Sequence, residues 1–355
     1  MENVFDAIVI GAGQAGLAAA YHLQNQGLHY LVLEASEQTA GSWTNYYDSL
    51  TLFSPARYSS LPEFRFPGDQ NRYPTKEEVI SYLIDYAKHF SFNVRTGEKV
   101  TKVHKQEGAF QVFTAKGDIF HTKTVISATG AFAFPFIPEV AGSNQFKGTM
   151  IHSSQYKNVE EFKDQRIVVV GGGNSAVQIA FELAKVSNVS LATRHPISFT
   201  PQKLLGKDIH FWFKVSGIDW LPFGKSFSMN TSVLDTGIYK QAISKNSPDQ
   251  RSMFTSFTKE GVIWGDGIQE KVNTVIFATG YRPNVMYLKS LAGALDSLGN
   301  PLHDKGLSKT INGLYYVGLS GQRSLSSATI RGVGSDAKYV VKRVKRFIKD
   351  ASTRY

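Results

Sequence analysis

The chain has 355 residues, 42% hydrophobic and 19% charged, a balance that excludes a disordered polymer and leaves length for two domains. Basic residues outnumber acidic ones, 39 to 29, for a net charge of +10. Cysteine is absent, which excludes disulfides, thiolate zinc sites, cysteine-held iron–sulfur clusters, a cysteine nucleophile and every dithiol redox pair.

The first residues, Met1 to Asp6, are acidic where a signal peptide needs positive charge. The uncharged window between Asp6 and Glu34 is broken by Gly11, Gly13, Gly16 and Gly27, so it is no membrane span. A soluble, cytoplasmic protein without an integral membrane span is expected. The same window has a clear organisation. A strand is predicted over 5–10, then the turn Gly11-Ala12-Gly13-Gln14-Ala15-Gly16, then a helix over 17–26 stopped by Gly27, then a strand over 29–33 ending at Glu34. This is the order of a dinucleotide-binding unit. The first glycine allows the tight turn, the second lets a pyrophosphate approach, and the third lets helix and sheet pack closely. Free N–H groups at the helix start favour phosphate. Glu34 accepts hydrogen bonds from ribose hydroxyls and repels a 2′-phosphate, so this unit should take an adenosine such as that of FAD.

Residues 110–130 alternate apolar and polar, turn at Lys116-Gly117-Asp118 and end in Ala128-Thr129-Gly130. The plan then repeats. A strand is predicted over 166–170, followed by Gly171-Gly172-Gly173-Asn174-Ser175-Ala176, a helix to about residue 185, and a strand over 189–192 ending at Thr193-Arg194. Arg194 lies 23 residues past Gly171, as Glu34 lies 23 past Gly11. A guanidinium in the carboxylate's place reverses the preference, so the second unit should take NADPH. Residues 204–230 are rich in aromatics (Phe211, Trp212, Phe213, Trp220, Phe223, Phe227) and read equally as a lid or substrate-side wall and as packed core. A second alternating stretch, 253–280, ends in Ala278-Thr279-Gly280. Gly318 follows a strand over 314–317. The tail from Lys338 holds seven basic residues and one acid, with Val340, Val341, Val344, Phe347 and Ile348 at helical spacing. It reads as a helix packed on one face and solvated on its basic face, with membrane-surface or nucleic-acid contact as the alternative. No aromatic-interleaved basic patch points to nucleic acid.

The expected fold is α/β with two Rossmann-like units, each closed by a β-meander. The FAD unit spans 1–155 and 281–355, and the NADPH unit, 156–280, is inserted. Two dinucleotide sites in one chain imply electron transfer from NADPH to FAD. At this point the sequence resembles the two-dinucleotide-domain flavoproteins, and among them the flavin-containing monooxygenases. Phe146-Lys147-Gly148-Thr149-Met150-Ile151-His152-Ser153-Ser154-Gln155-Tyr156 is similar to that family's identifier, and Ala278 to Pro283 and Gly41-Ser42-Trp43 also match. Leu52 to Pro62 and Tyr73 to Lys76 resemble a small bacterial branch named for association with cation-efflux transporters.

The resemblance implies that Trp43 sits by the flavin, and that Phe53 stands, with Ser54 beside it, where many relatives carry an asparagine. It also implies a FAD set of Gly11, Gly13, Gln14, Ala15, Gly16, Glu34, Gly41, Ser42, Trp43, Val100, Ala128, Thr129, Gly130 and Gly318. The matching NADPH set is Gly171, Gly173, Asn174, Ser175, Thr193, Arg194, Ala278, Thr279 and Gly280. No protein acid or base is assigned: His152 either holds a linker or moves a proton. The resemblance also implies that Arg331-Gly332-Val333-Gly334, expected to precede the final helix, turns free N–H groups toward the flavin. No metal site is expected. The leading expectation is an NADPH-dependent monooxygenase using O2 on a small organic molecule. The alternatives are an NADPH oxidase or reductase without oxygen insertion, motivated by Phe53, and a non-catalytic cofactor-binding sensor.

Overall fold

The computed structural model describes residues 4–132, 134–221 and 232–352. Two parallel-centred sheets carry the chain. The first has nine strands. Its path runs His303–Asp304, Leu307–Ser308, Leu314–Tyr316, Ile119–Ser127, Phe5–Ile10, Tyr30–Leu33, Val94–Arg95. Val9 lies between Val32 and Ile126 in register. Ala7, Ile8 and Val9 are wholly buried, as a continuous apolar run in a covered parallel sheet must be. The hairpin Val100–Gln106 and Ala109–Thr114 feeds Ile119–Ser127, the expected meander. Helix α1 (Gln14–Asn25) begins inside the glycine turn, three residues before the predicted start. Helix α2 (Lys76–His89) is opened by a capping box, Thr75 with Glu78.

The second sheet draws only on residues 149–277. Its order is Asp249–Ser252, Asn188–Thr193, Arg166–Val170, Thr274–Phe277, Thr149–His152, all parallel. It carries α3 (Asn174–Leu183), α4 (Ile209–Ser216) and α5 (Ile238–Ser244). A short meander, Ser256–Phe257, Gly261–Ile263 and Gln269–Lys271, lies beside it. The two sheets are joined by a crossing ribbon in which Phe134–Pro135 pairs antiparallel with Tyr281–Arg282.

The C-terminal helix α6 (Ile330–Ser352) starts eight residues before the predicted position, so Gly332 and Gly334 lie within it rather than ahead of it. Glycine is a poor helix former, and that misplaced the boundary. Close packing selects it here: a Cβ on Gly332 would stand 2.2 Å from the Ser326 oxygen, and one on Gly334 would stand 2.8 Å from Pro62. The N–H groups of Gly332 and Val333 both donate to the Thr329 carbonyl, so they are not free for a flavin as expected. Val333, Ala337, Val340, Val341, Val344 and Ile348 are buried against α1, while Lys342, Arg343, Lys345, Arg346 and Lys349 are exposed. The tail is the half-packed helix that its spacing predicts.

Candidate functional site

The two glycine turns have the same construction. Gly11 adopts φ +102 and Gly171 φ +139, where only glycine is unstrained. A Cβ on Gly11 would lie 2.9 Å from the Ala128 carbonyl, and one on Gly171 would lie 2.5 Å from that of Ala278. In each unit the Ala-Thr-Gly strand end therefore closes on the turn, and the sequence repeat is a spatial repeat. Gly16 packs so tightly that its Cβ would meet the Gly11 oxygen at 1.8 Å, whereas the second turn accommodates Ala176. Gly41 faces Gly13 at 2.9 Å, and Gly318 faces the Ala15 methyl at 2.6 Å, both as would-be Cβ contacts. Neither α1 nor α3 has a side-chain N-cap or an acid in its first turn. A glycine-lined cradle at a positive helix end fits a pyrophosphate.

The strand ends beyond the turns carry opposite charge. Glu34 is buried: one carboxylate oxygen accepts from Ala12 N–H at 2.5 Å, the other from Ser36 N–H and Oγ at 2.9 and 2.7 Å. These bonds fix it beside the turn, with lone pairs left for ribose hydroxyls. Arg194 is exposed beyond Thr193 and has no hydrogen bond or ion pair among the described residues. Its donors are available to an outside anion. Thr193 itself is buried and accepts from Gln250 at 2.9 Å. The donor sets fit an FAD adenosine in the first unit and a phosphorylated one in the second.

Other expected site residues have long-range duties. The Asn174 side-chain oxygen accepts from Leu234 N–H at 3.1 Å. Thr129 donates to the Asn284 carbonyl at 3.2 Å and Thr279 to that of Phe136 at 2.5 Å, so both hydroxyls fasten the crossing ribbon. The Val100 side chain is in the core with Leu31 and Leu33. His152 is buried; its Nε2 donates to the Gly280 carbonyl at 2.9 Å and its Nδ1 accepts from Ser154 N–H at 3.1 Å. Both nitrogens are engaged and burial holds its pKa below the usual value, so it acts as a neutral linker clamp. Trp43 packs against the cores of both units and donates to Gln14 Oε1 at 2.8 Å. Gln14 in turn donates to the carbonyl of Ala328, a non-glycine residue at φ +70.

Around Phe53 the structure reveals a network that the sequence reading missed. Gln202 donates to the Phe53 carbonyl and to Asp208 Oδ2, each at 2.9 Å. Tyr73 donates to the same oxygen at 2.5 Å, and Asp208 Oδ1 accepts from His210 Nδ1 at 2.7 Å and from its N–H at 2.9 Å. Burial opposes the charge of Asp208, but the hydrogen bonds from His210, Tyr73 and Gln202 outweigh it and hold the carboxyl below its usual range. Ser54 Oγ is bonded to Ser59 Oγ at 2.8 Å. Asp219 takes a hydrogen-bonded ion pair from Arg331, with contacts of 2.9 to 3.3 Å, tying the inserted segment to α6. The aromatics Phe211, Trp212 and Phe213 are half-buried and Trp220 is exposed, so that stretch is not simply core; Phe223 and Phe227 lie outside the described residues.

Two Rossmann-type units joined by a paired linker define a class, the two-dinucleotide oxidoreductases. The pyridine nucleotide-disulphide oxidoreductase family matches residues 8–213. A CzcO-like oxidoreductase of Geobacillus kaustophilus is 35% identical over 96% of this chain and 98% of its own. An indole-3-pyruvate monooxygenase of Oryza sativa is 30% identical over 98% and 89%. The solved flavin-containing monooxygenase of Stenotrophomonas maltophilia superposes with a TM-score of 0.86 at 29% identity, covering 98% of this chain and all of that one. The chain belongs to the pyridine nucleotide-disulphide oxidoreductase family and, within it, to the flavin-dependent oxidoreductases of the flavin-containing monooxygenase class. That family uses FAD and NAD(P)H; with no cysteine in the sequence, this member has no dithiol of its own.

Proposed function

We propose that the chain is an NADPH-dependent flavoprotein monooxygenase acting on nitrogen, sulfur or a carbonyl carbon of a small organic molecule. The observation that carries the reading is the pair of glycine turns, each closed by an Ala-Thr-Gly strand end, whose next strands end in Glu34 and Arg194. The FAD unit takes 1–148 and 281–355 and the NADPH unit 149–280; the expected boundary at 155/156 falls seven residues late, because Thr149–His152 pairs with Thr274–Phe277 as the edge strand of the second sheet. FAD held there would supply the redox chemistry, accepting electrons from NADPH and passing them to O2. The protein binds and orients. Gly11, Gly13, Gly16 and the α1 N-terminus hold the FAD pyrophosphate, and Glu34 its ribose. Gly171, Gly173, Ser175 and the α3 N-terminus hold the second pyrophosphate, and Arg194 the 2′-phosphate. Trp43, in contact with both cores, shields the join from water.

A second reading, an oxidase or reductase without oxygen insertion, draws support from Phe53 and Ser54. A phenyl ring donates no hydrogen bond, and the Ser54 hydroxyl is already bonded to Ser59. Isotopically labelled O2 separates the two. Under the first reading, an amine, sulfide or ketone turned over with NADPH gains one labelled oxygen atom. Under the second, no organic product is labelled and the NADPH consumed is matched by hydrogen peroxide, which carries the label, or by a reduced acceptor. A purified protein that takes up no FAD sinks both.

A further inference from the structure

Residues 203–221 present an apolar face that no part of the described chain covers. A hairpin pairs Lys203–Leu204 with Lys207–Asp208 and turns at Leu205-Gly206. Leu205 sits at its tip, at φ +49 and 82% exposed. The hairpin is fixed to α4: Trp212 Nε1 donates to the Leu204 carbonyl at 2.9 Å, and the Lys207 ammonium lies 6.0 Å from the centre of the Phe211 ring. One turn beyond Phe211 on the same helix face, Val215 is 66% exposed. Trp220 and Leu221 follow, also exposed.

The charge on this face has one sign. Lys203, Lys207 and Lys214 point to solvent. The only acids in the segment are turned inward: Asp208 takes bonds from His210, Tyr73 and Gln202, and Asp219 is held by Arg331. A leucine tip among lysines with an indole at its edge has the composition of segments that lie in a lipid interface. The apolar groups enter the acyl boundary, the lysine stems extend along it and their ammonium groups reach the headgroups. A protruding two-residue turn suits a soft bilayer.

We propose that this face docks the protein on an anionic phospholipid surface, with Leu204 and Leu205 inserted and Lys203, Lys207 and Lys214 on headgroup phosphates. Because the chain contains no cysteine, Leu205→Cys creates a single attachment point for an environment-sensitive dye. Leu298→Cys, at another exposed leucine, serves as control. With phosphatidylcholine vesicles containing phosphatidylglycerol, the dye at 205 should shift to the blue and be quenched by spin-labelled lipid, while the dye at 298 should not respond. The combined change Lys203→Glu, Lys207→Glu and Lys214→Glu should lower vesicle binding by at least roughly tenfold. Circular dichroism and thermal unfolding confirm that each variant is folded. The proposal is overturned by a silent dye at 205 or by equal responses at both positions. Binding that survives Leu205→Asp but is lost in Lys342→Glu with Lys345→Glu would assign the contact to α6 instead. A dye at 205 already blue-shifted without lipid, in a dimer, would show a second copy covering the face and overturn it too.

Discussion

Arg194 and Glu34 are the residues on which the proposed cofactor choice turns. One is exposed and unpaired among the described residues; the other is buried and fixed by three hydrogen bonds. A charge-assisted hydrogen bond is worth roughly 1.5–3 kcal/mol, or about a 10- to 150-fold change in affinity. Arg194→Glu should therefore weaken NADPH binding by roughly that factor and leave NADH binding nearly unchanged, as read by titration of the purified protein. Gly16→Ala places a methyl where only 1.8 Å separates it from the Gly11 oxygen. The turn must open, at a cost of about 1–3 kcal/mol or more, so the variant should retain less FAD per chain and unfold at lower temperature. These residues were legible because a glycine turn and the residue closing the next strand have fixed spacing. The true partners of Asn174, Thr129 and Thr279 were not legible, because they lie 60, 155 and 143 residues away in the chain.

At the scale of elements, α1 and α6 form the main helix joint of the first unit, and His22 seals it. Its Nε2 bonds the Gly334 carbonyl at 3.0 Å, and burial, opposed by that bond and aided by Lys338, lowers its pKa from 6.5 to about 4. Between those values the unfolded chain binds a proton that the folded chain does not. The contribution to stability is full above about pH 6.5 and is lost as pH falls toward 4. His152, shifted in the same direction, adds to it. With partial exposure allowed for, His22 should cost about 1 kcal/mol of stability between pH 7 and pH 5. Urea denaturation at the two pH values reads this, and His22→Gln should flatten the slope; equal slopes would remove His22 from the account. The Asp219–Arg331 pair is the corresponding fastening of the inserted segment, with side chains only 7% and 16% exposed. Asp219→Asn should loosen residues 204–221, seen as faster limited proteolysis there at unchanged global unfolding temperature. Strands and the glycine-opened helices were readable from periodicity. The start of α6 was not, because its two glycines serve close packing rather than helix termination.

For the whole molecule, the two sheets meet across the ribbon of Phe134–Pro135 and Tyr281–Arg282, with Trp43 in both cores and His152 bracing Gly280. The duplication was visible in sequence because each unit repeats turn, helix, charged strand end and Ala-Thr-Gly. The network of Tyr73, Gln202, Asp208 and His210 was not, since its members are single polar residues brought together only when the inserted unit folds back over Phe53. In the proposed reaction electrons pass from NADPH at the second turn to FAD at the first. The most direct measurement is anaerobic rapid mixing of the FAD-loaded protein with NADPH and, separately, NADH, following the flavin's visible absorbance. NADPH should bleach the flavin at concentrations roughly 10- to 150-fold below those needed of NADH, and Arg194→Glu should erase that difference. A flavin that NADPH does not bleach would exclude this transfer, and one that NADH bleaches equally well in the unaltered protein would exclude Arg194 as the source of the preference.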